Sequence, residues 1–279
     1  MTAPYTLASR EDHSANTIVH AGGATIGGLE PVLIAGPCSV EDREQMLTTA
    51  RAVRASGGAI LRGGAFKPRT SPYGFQGLGE AGLELLAEAG ASVGLPVVTE
   101  VMESAQVEIV SAYADILQVV SRNMANTALL KAVGRADRPV MLKRGMAATI
   151  EEWLLAAEYV LAEGNARVIL CERGVRGFEP RLRNLLDPAV VPLLRTLTHL
   201  PVIVDPSHAV GRRDLVAPAA CAAIAVGADG VMIEVHPNPA VALTDAAQAV
   251  PCAELPALAA RLRAVAIAVR GEEAEALAS

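Results

Sequence analysis

Short apolar, β-branched runs alternate along this chain with longer amphipathic stretches rich in Ala, Leu and Glu, the pattern of strands exchanged regularly for helices. The runs are PVLIAG (31–36), AILRG (59–63), PVVTEV (96–101), ILQVV (116–120), PVMLKR (139–144), RVILCER (167–173), PVIVDP (201–206) and GVMIEV (230–235). Helices are predicted over 42–56, 80–92, 104–113, 126–134, 150–163, 187–197, 214–226 and 254–270. Runs that are apolar nearly throughout suit strands covered on both faces, as in a parallel sheet flanked by helices. Eight strand and helix pairs predict an α/β fold of the closed (β/α)8, or TIM barrel, kind. An open doubly wound sheet is the competing arrangement. It is disfavoured because no Gly-rich dinucleotide fingerprint follows the first run and no second domain is left over. Residues 1–30 read as an N-terminal extension whose AGGATIGG stretch (21–28) turns a small hairpin under the barrel, and residues 31–279 as the barrel itself.

Composition narrows the class. With 279 residues, 52% of them hydrophobic, and a mean hydropathy of +0.35, the chain can bury one large core. Residues 1–20 lack a basic segment followed by an apolar one, and no stretch reaches the roughly 18 uninterrupted apolar residues of a spanning helix. A cytoplasmic protein without a membrane partner is therefore expected. A net charge of −6 and a pI near 5.5 argue against a nucleic-acid surface, which needs a sustained basic face. Cys38, Cys171, Cys221 and Cys252 are far apart and form no CxxC pair, so neither a disulfide framework nor a zinc knuckle is indicated.

Candidate chemistry lies where the runs end, because barrel enzymes work at the C-terminal ends of their strands. In chain order those ends lead to Cys38; to Arg62, Lys67 and Arg69; to Glu100; and to Arg122. The later ones lead to Lys143 and Arg144; to Glu172 and Arg173; to Asp205 and His208; and to Glu234 and His236. Arg62, Lys67, Arg69, Arg122, Lys143 and Arg173 would then crowd one mouth of an acidic protein. Such a cluster repels itself unless anions fill it, so a substrate with more than one phosphate or carboxylate is implied; solvated loop cations are the plainer alternative.

A second constellation is Cys38, His208 and Glu234, with Asp245 as an open fourth member. Sulfur, imidazole and carboxylate donors suit Mn, Fe, Co or Zn better than Mg or Ca, which prefer oxygen shells. The plain alternatives are a small buried Cys and a His that only hydrogen-bonds its own Asp-Pro-Ser-His turn.

Six strings then resemble a known family: AGPCSVE (35–41), LRGGAFKPRTSPYGFQGLG (61–79), LKRGM (142–146), ILCERGVR (169–176), VDPSHAVGRRDL (204–215) and IEVHPNPAVALTD (233–245). They resemble 3-deoxy-D-arabino-heptulosonate 7-phosphate (DAHP) synthase, in the short type I branch that also holds bacterial 3-deoxy-manno-octulosonate 8-phosphate synthases. The likeness runs from about residue 17 to 250, and KPRTSP is its most specific part, since the octulosonate enzymes resemble Lys-Ala-Asn-Arg-Ser there.

The resemblance implies a metal held by Cys38, His208, Glu234 and Asp245. It implies phosphoenolpyruvate held by Arg62 and Lys67 at its carboxylate and by Arg122, Lys143 and Arg173, with Ser121, around its phosphate. It implies erythrose 4-phosphate received by Arg69 and Thr70, with Asp245, and catalytic roles for Lys67 and Glu100. Dimers or tetramers are implied too. Many members carry a regulatory or chorismate mutase domain, for which this chain has no room, so no feedback inhibition by aromatic amino acids is expected.

Departures from the family pattern fall on loops. Ala125 and Thr127 are small where the family is larger, Gly177 and Leu185 replace Thr, Ala148 replaces Asn, and Ala249 and Val250 replace Ser and Leu. They leave room for arabinose 5-phosphate or another aldose phosphate as acceptor, or for a barrel that binds sugar phosphates without turnover. Cys171 and Cys221 are expected in the core, His199 in a structural role at the barrel's bottom, Asp205 as an orienter of His208, and His236 beside the metal set.

Overall fold

The computed structural model describes residues 4–11, 13–67 and 71–270. A hairpin comes first, β1 (Val19–Ala21) against β2 (Ala24–Ile26), antiparallel as expected for the Gly-rich stretch. The barrel strands follow: β3 (Val32–Gly36), β4 (Ile60–Arg62), β5 (Val97–Val101), β6 (Ile116–Val119), β7 (Val140–Lys143), β8 (Val168–Glu172), β9 (Val202–Val204) and β10 (Gly230–His236). Each pairs in parallel with the next, and β10 pairs with both β3 and β9, which closes the sheet into a (β/α)8 barrel. A two-residue strand, β11 (Val250–Pro251), adds to the end of β10.

The helices are α1 (Arg43–Ala55), α2 (Glu80–Val93), α3 (Val107–Tyr113), α4 (Thr127–Gly134), α5 (Ile150–Ala162), α6 (Val190–Leu197), α7 (Pro206–Val210), α8 (Arg213–Ala225) and α9 (Leu255–Arg270). Their starts follow local chemistry. Asp42 accepts from the Gln45 amide ahead of α1, and Thr149 and Glu152 form a reciprocal capping box on α5. Trp153, fully buried, then donates its indole N–H to Leu142 O at 3.2 Å, pinning α5 to β7. Helix α6 begins at residue 190 rather than 187, because Pro188 disfavours helical backbone at Asp187. Helix α7 was not expected; Pro206 at its first position and Asp205 as its cap start it.

Strand periodicity decides what faces inward. Ile34, Ile60, Val98, Ile116, Ile169 and Ile203 join Val19 and Ile26 of the hairpin in one buried cluster inside the barrel. The hairpin therefore plugs the barrel from below and shares its core, each fully buried Ile contributing about 1.5–3 kcal/mol. Two residues further along the strands, the same inward parity brings up Gly36, Arg62, Glu100, Lys143, Asp205 and Glu234. Gly36 is needed there for clearance: a Cβ on it would lie 1.9 Å from Arg62 O. The opposite parity, including Leu61, Leu117, Leu142 and Leu170, packs on the helices.

Below the barrel, residues 4–11 and 13–17 are strapped to its underside. The Glu158 carboxylate accepts from the amides of Thr6, Leu7 and Ala8 at 2.8–3.0 Å. His199 Nε2 donates to Leu7 O at 2.8 Å and its Nδ1 meets the Thr17 hydroxyl at 2.6 Å, while the ring stacks on His13. This is the structural role expected of His199. Cys171 is fully buried in the barrel core, and Cys221 packs partly buried against the helix-side core. Among the described residues no helix is long and apolar enough to cross a membrane.

Burial holds the His199 ring below its ordinary value of 6.5, and His13 and Arg10 act in the same direction. The unfolded chain therefore binds the extra proton first, so this contribution to stability is present above about pH 6.5 and is lost as pH falls through the folded value. Thermal unfolding at roughly pH 7.5 and roughly pH 5.5 should show a larger loss of melting temperature on acidification for the parent than for His199→Gln. Equal losses would remove His199 as the cause.

Candidate active site

A cavity of about 360 Å³ opens at the C-terminal ends of the barrel strands. Cys38, Lys67, Glu100, Ser121, Arg122, Lys143, Arg173, His208 and Asp245 line it. Arg62 and Glu234 lie directly behind, 2% and 0% exposed, joined by an ion pair of 2.8 Å. Arg69 and Thr70 lie outside the described residues.

Cys38, His208, Glu234 and Asp245 converge, their donor atoms all within 4.8 Å of one another. The cap of α7 sets the histidine. Asp205 Oδ1 accepts from the His208 amide at 2.9 Å, and Oδ2 accepts from the ring Nδ1 at 2.7 Å. With the proton on Nδ1 and burial holding the ring's pKa down, Nε2 presents a lone pair. That lone pair faces Glu234 Oε1 at 3.2 Å and Asp245 Oδ2 at 3.5 Å, with Cys38 Sγ 3.4 Å from the same Asp245 oxygen. Sulfur, a nitrogen lone pair and two carboxylate oxygens facing one point fit a divalent transition cation. Burial, then Glu234, pushes the Cys38 thiol above its usual range, so a cation would bind against its proton.

The loop that delivers Asp245 is held from several sides. Asp245 has φ 51°, a left-handed conformation that Asp tolerates better than most residues. The Ser39 and Thr244 hydroxyls are 2.7 Å apart, and Glu41 accepts from the Leu243 amide at 2.9 Å. His236 is 3.4 Å from Glu41 and accepts from the Asn238 amide, so it staples this loop and touches no member of the metal set.

Arg62, Lys67, Lys143 and Arg173 are buried, the first three in ion pairs, whereas Arg122 and Arg183 are exposed at the rim. Lys67 Nζ donates to Glu100 Oε1 at 2.8 Å and to Cys38 O at 2.9 Å. Burial opposes its charge, but the Glu100 carboxylate favours the ammonium, and its pKa is held above the usual lysine range. Lys143 Nζ meets Asp205 Oδ2 at 2.5 Å, so one carboxylate oxygen bridges a cavity lysine and the ring of His208. Asp205 is held well below the ordinary carboxylate range: His208 and Lys143 outweigh the burial that opposes its charge.

Among the described residues, the buried side-chain atoms with no hydrogen-bond partner are Arg10 Nε, Glu100 Oε2, Ser121 Oγ and Arg173 Nη1. The last three belong to cavity residues, and buried polar groups are left this way mainly where something else completes them. Among the described residues, six cations in and under the cavity (Arg62, Lys67, Arg122, Lys143, Arg173, Arg183) face four carboxylates (Glu100, Asp205, Glu234, Asp245), an excess of two positive charges. That supports a site built for an anion.

Residues 12–269 match the DAHP synthetase I family. The chain belongs to this family. It is 53% identical over 245 residues, 88% of this chain and 72% of the relative, to the phospho-2-dehydro-3-deoxyheptonate aldolase of Thermotoga maritima. It is 35% identical to the 2-dehydro-3-deoxyphosphooctonate aldolase of Nitrobacter hamburgensis, over 90% of this chain and 93% of that one, which places it in the short branch. A crystal structure of the Thermotoga maritima enzyme, titled as a DAHP synthase, superposes with a TM-score of 0.94 at 49% identity, covering 97% of this chain and 79% of that one. A truncated form from the same organism superposes at 0.90 with 47% identity, covering 95% and 98%.

Within the family frame, five of the departures lie off the cavity lining, namely Ala125, Thr127, Ala148, Gly177 and Leu185, while Ala249 and Val250 directly follow Gln248, whose side chain reaches Glu234 and Asp245. Gly177 and Leu185 neighbour each other, a Cβ at 177 falling 3.5 Å from that of Leu185. Sequence reading missed Arg183, Ser71, Gly74 and Met146 among the lining residues, and Gln248 behind Asp245. Only the charge of Arg183 offered a signal, and it lies ten residues beyond Arg173, past the end of the strand.

Asp205 is fully buried and Lys143 nearly so, and truncating one member of such a pair strands the other's charge. Asp205→Ala should lower the unfolding free energy in urea by about 3–5 kcal/mol. A loss under roughly 1 kcal/mol would mean that water reaches the pair.

Proposed function

We propose that this protein condenses phosphoenolpyruvate with erythrose 4-phosphate, giving 3-deoxy-D-arabino-heptulosonate 7-phosphate and inorganic phosphate. That makes it a 3-deoxy-7-phosphoheptulonate synthase, a cytoplasmic transferase at the first step of the shikimate route to aromatic amino acids, assembling as a homodimer or homotetramer. The observation that carries this reading is one cavity in which a mixed sulfur, nitrogen and carboxylate set adjoins buried cations, with hydrogen-bonding capacity left unmet at Arg173 and Ser121. Phosphoenolpyruvate carries roughly three negative charges at neutral pH, which suits the excess of positive charge.

Lys67 takes its carboxylate, with Arg62 lending its charge from behind the cavity wall; Arg122, Lys143 and Arg173, with Ser121, take its phosphate through Arg173 Nη1 and the Ser121 hydroxyl. Arg69 and Thr70 receive the acceptor's phosphate, and Asp245 faces its aldehyde end. A divalent Mn, Fe, Co or Zn ion held by Cys38, His208, Glu234 and Asp245 would supply Lewis-acid polarisation of the acceptor carbonyl.

The chain's own residues then do the positioning and the proton transfers. Holding both anions against fixed cations makes the condensation effectively intramolecular. As C3 of phosphoenolpyruvate bonds to the aldehyde carbon, the carbonyl oxygen gains charge, and Lys67 Nζ, kept protonated by its neighbours, donates a proton to it. Positive charge left at C2 is captured by water, whose proton Glu100 Oε2 can accept, since that oxygen has no other partner. The hemiketal phosphate then expels inorganic phosphate toward Arg173 and Lys143.

Metal-reconstituted protein given phosphoenolpyruvate should release phosphate with erythrose 4-phosphate, and Cys38→Ala should abolish this. Turnover with arabinose 5-phosphate alone would move the reading to the octulosonate reaction. Turnover with neither, metal bound, would overturn it in favour of a barrel that only binds. Glu100→Gln should lower turnover by about 10²–10⁴-fold while phosphoenolpyruvate still binds, and unchanged turnover would remove Glu100 as the base.

A further inference from the structure

Gln248 is 2% exposed and directly behind the two acids of the metal set. Its amide nitrogen donates to Glu234 Oε2 at 2.5 Å and reaches Asp245 Oδ2 at 3.4 Å. Its carbonyl oxygen accepts from Arg183 Nη1 at 2.9 Å, and the same Arg183 nitrogen pairs with Asp245 Oδ2 at 3.0 Å. The orientation of the amide is fixed by its neighbours: guanidinium only donates and ionised carboxylates only accept.

This arrangement divides the work of the two Glu234 oxygens. Oε2 is held by Gln248, which turns Oε1 toward His208 Nε2 and Arg62. Asp245 sits on a left-handed turn whose carbonyl accepts from the Gln248 amide N–H at 3.1 Å, so Gln248 grips it through backbone and side chain together. Arg183 is placed in turn by Gly211, at φ 69°, where a Cβ would lie 2.4 Å from the Arg183 Cβ.

The residue type is demanding. Glutamate at 248 would bring a third negative charge against two acids, asparagine would fall one methylene short, and an apolar side chain would leave Glu234 Oε2 buried without a donor. A carboxamide of this length alone serves two acids and one arginine without adding charge.

We propose that Gln248, anchored by Arg183, is a positioning residue that fixes the Glu234 and Asp245 carboxylates in the orientation that receives the metal. The proposal rests on the reading of Cys38, His208, Glu234 and Asp245 as the metal set. The Gln248 side chain hydrogen-bonds to Arg183, Glu234 and Asp245 and to none of the phosphoenolpyruvate cations, and it acts before any substrate arrives.

The test is metal binding by the full chain, stripped of metal and titrated with Mn²⁺, with Co²⁺ absorption spectra recorded in parallel. Gln248→Met keeps length and flexibility but donates nothing, and should weaken Mn²⁺ binding by about 10–100-fold, the usual effect of losing a partner behind a ligand. The Co²⁺ spectrum should change with it, because ligand orientation changes. Gln248→Asn, polar but too short, should weaken binding in the same direction, and stands in if the Met variant does not fold. A folded variant of either kind with the parent's Mn²⁺ dissociation constant and Co²⁺ spectrum would overturn the proposal alone. If the parent binds no Mn²⁺, or Cys38→Ala binds it as well as the parent does, the metal set itself fails and the proposal with it.

Discussion

Charge buried on top of a hydrophobic layer is the constraint on which this molecule is organised. Inside the barrel, Ile34, Ile60, Val98 and Ile203 pack with the hairpin below, and one step of strand periodicity above them stand Gly36, Arg62, Glu100 and Asp205. An ion taken out of water there costs several kcal/mol unless it is paired and hydrogen-bonded. The observed pairs answer that requirement: Arg62 with Glu234, Lys67 with Glu100, Lys143 with Asp205, Arg144 with Glu172. What the pairs leave unmet, at Arg173 Nη1, Ser121 Oγ and Glu100 Oε2, amounts to about 1–3 kcal/mol of lost hydrogen bonding for each group. The folded chain carries that cost in advance; an anion accepting from Arg173 Nη1 and the Ser121 hydroxyl would recover it at those two groups, while Glu100 Oε2, itself an acceptor, calls for a donor.

The pairing also links parts of the cavity that sequence separates. Asp205 bridges Lys143 on β7 and His208 on α7, so the anion side and the metal side share one carboxylate. Arg62 does the same through Glu234, and Lys67 through the carbonyl of Cys38. A change of charge on one side is therefore felt on the other without any movement of the backbone. The rigid barrel wall supplies the geometry and the ionic layer supplies the coupling.

Much of this was legible in the sequence, and the limits are physical. The strands were readable because each is a short apolar run bounded by a turn signal, and the helices because their caps are local: Asp42 for α1, Thr149 and Glu152 for α5. The elements missed, α7 and β11, are too short to have a period, and α7 exists because of one proline and one capping Asp. Strand ends gave Cys38, Arg62, Glu100, Lys143, His208 and Glu234, because a parallel barrel gathers those ends whatever their separation along the chain. They did not reveal that Arg62 and Glu234 stand behind the cavity wall, since that depends on how far each strand runs past its neighbours. Gln248 and Arg183 carry no periodic signal at all. Their meeting depends on a loop crossing from β10 and another from β8, 65 residues apart in the chain.

The departures from the family pattern take on a different meaning once the ionic layer is in view. A substitution inside that layer has to be matched by another of opposite charge, so drift there is tightly constrained. Loops outside it answer only to their own packing. Gly177 and Leu185 illustrate the second case: they are neighbours, since a Cβ at 177 would lie 3.5 Å from that of Leu185, one position having lost bulk where the other has gained it, and neither lines the cavity. Ala148 is similar: it lies off the cavity lining, its methyl packs against the helix-side core, and its backbone accepts from Arg144 Nε at 3.2 Å and donates to Gly145 O at 3.2 Å, bonds that any residue except proline at 148 could supply. These loop departures leave the cavity lining untouched, whereas any change among the paired charges around Cys38, His208, Glu234 and Asp245 would strand a buried partner.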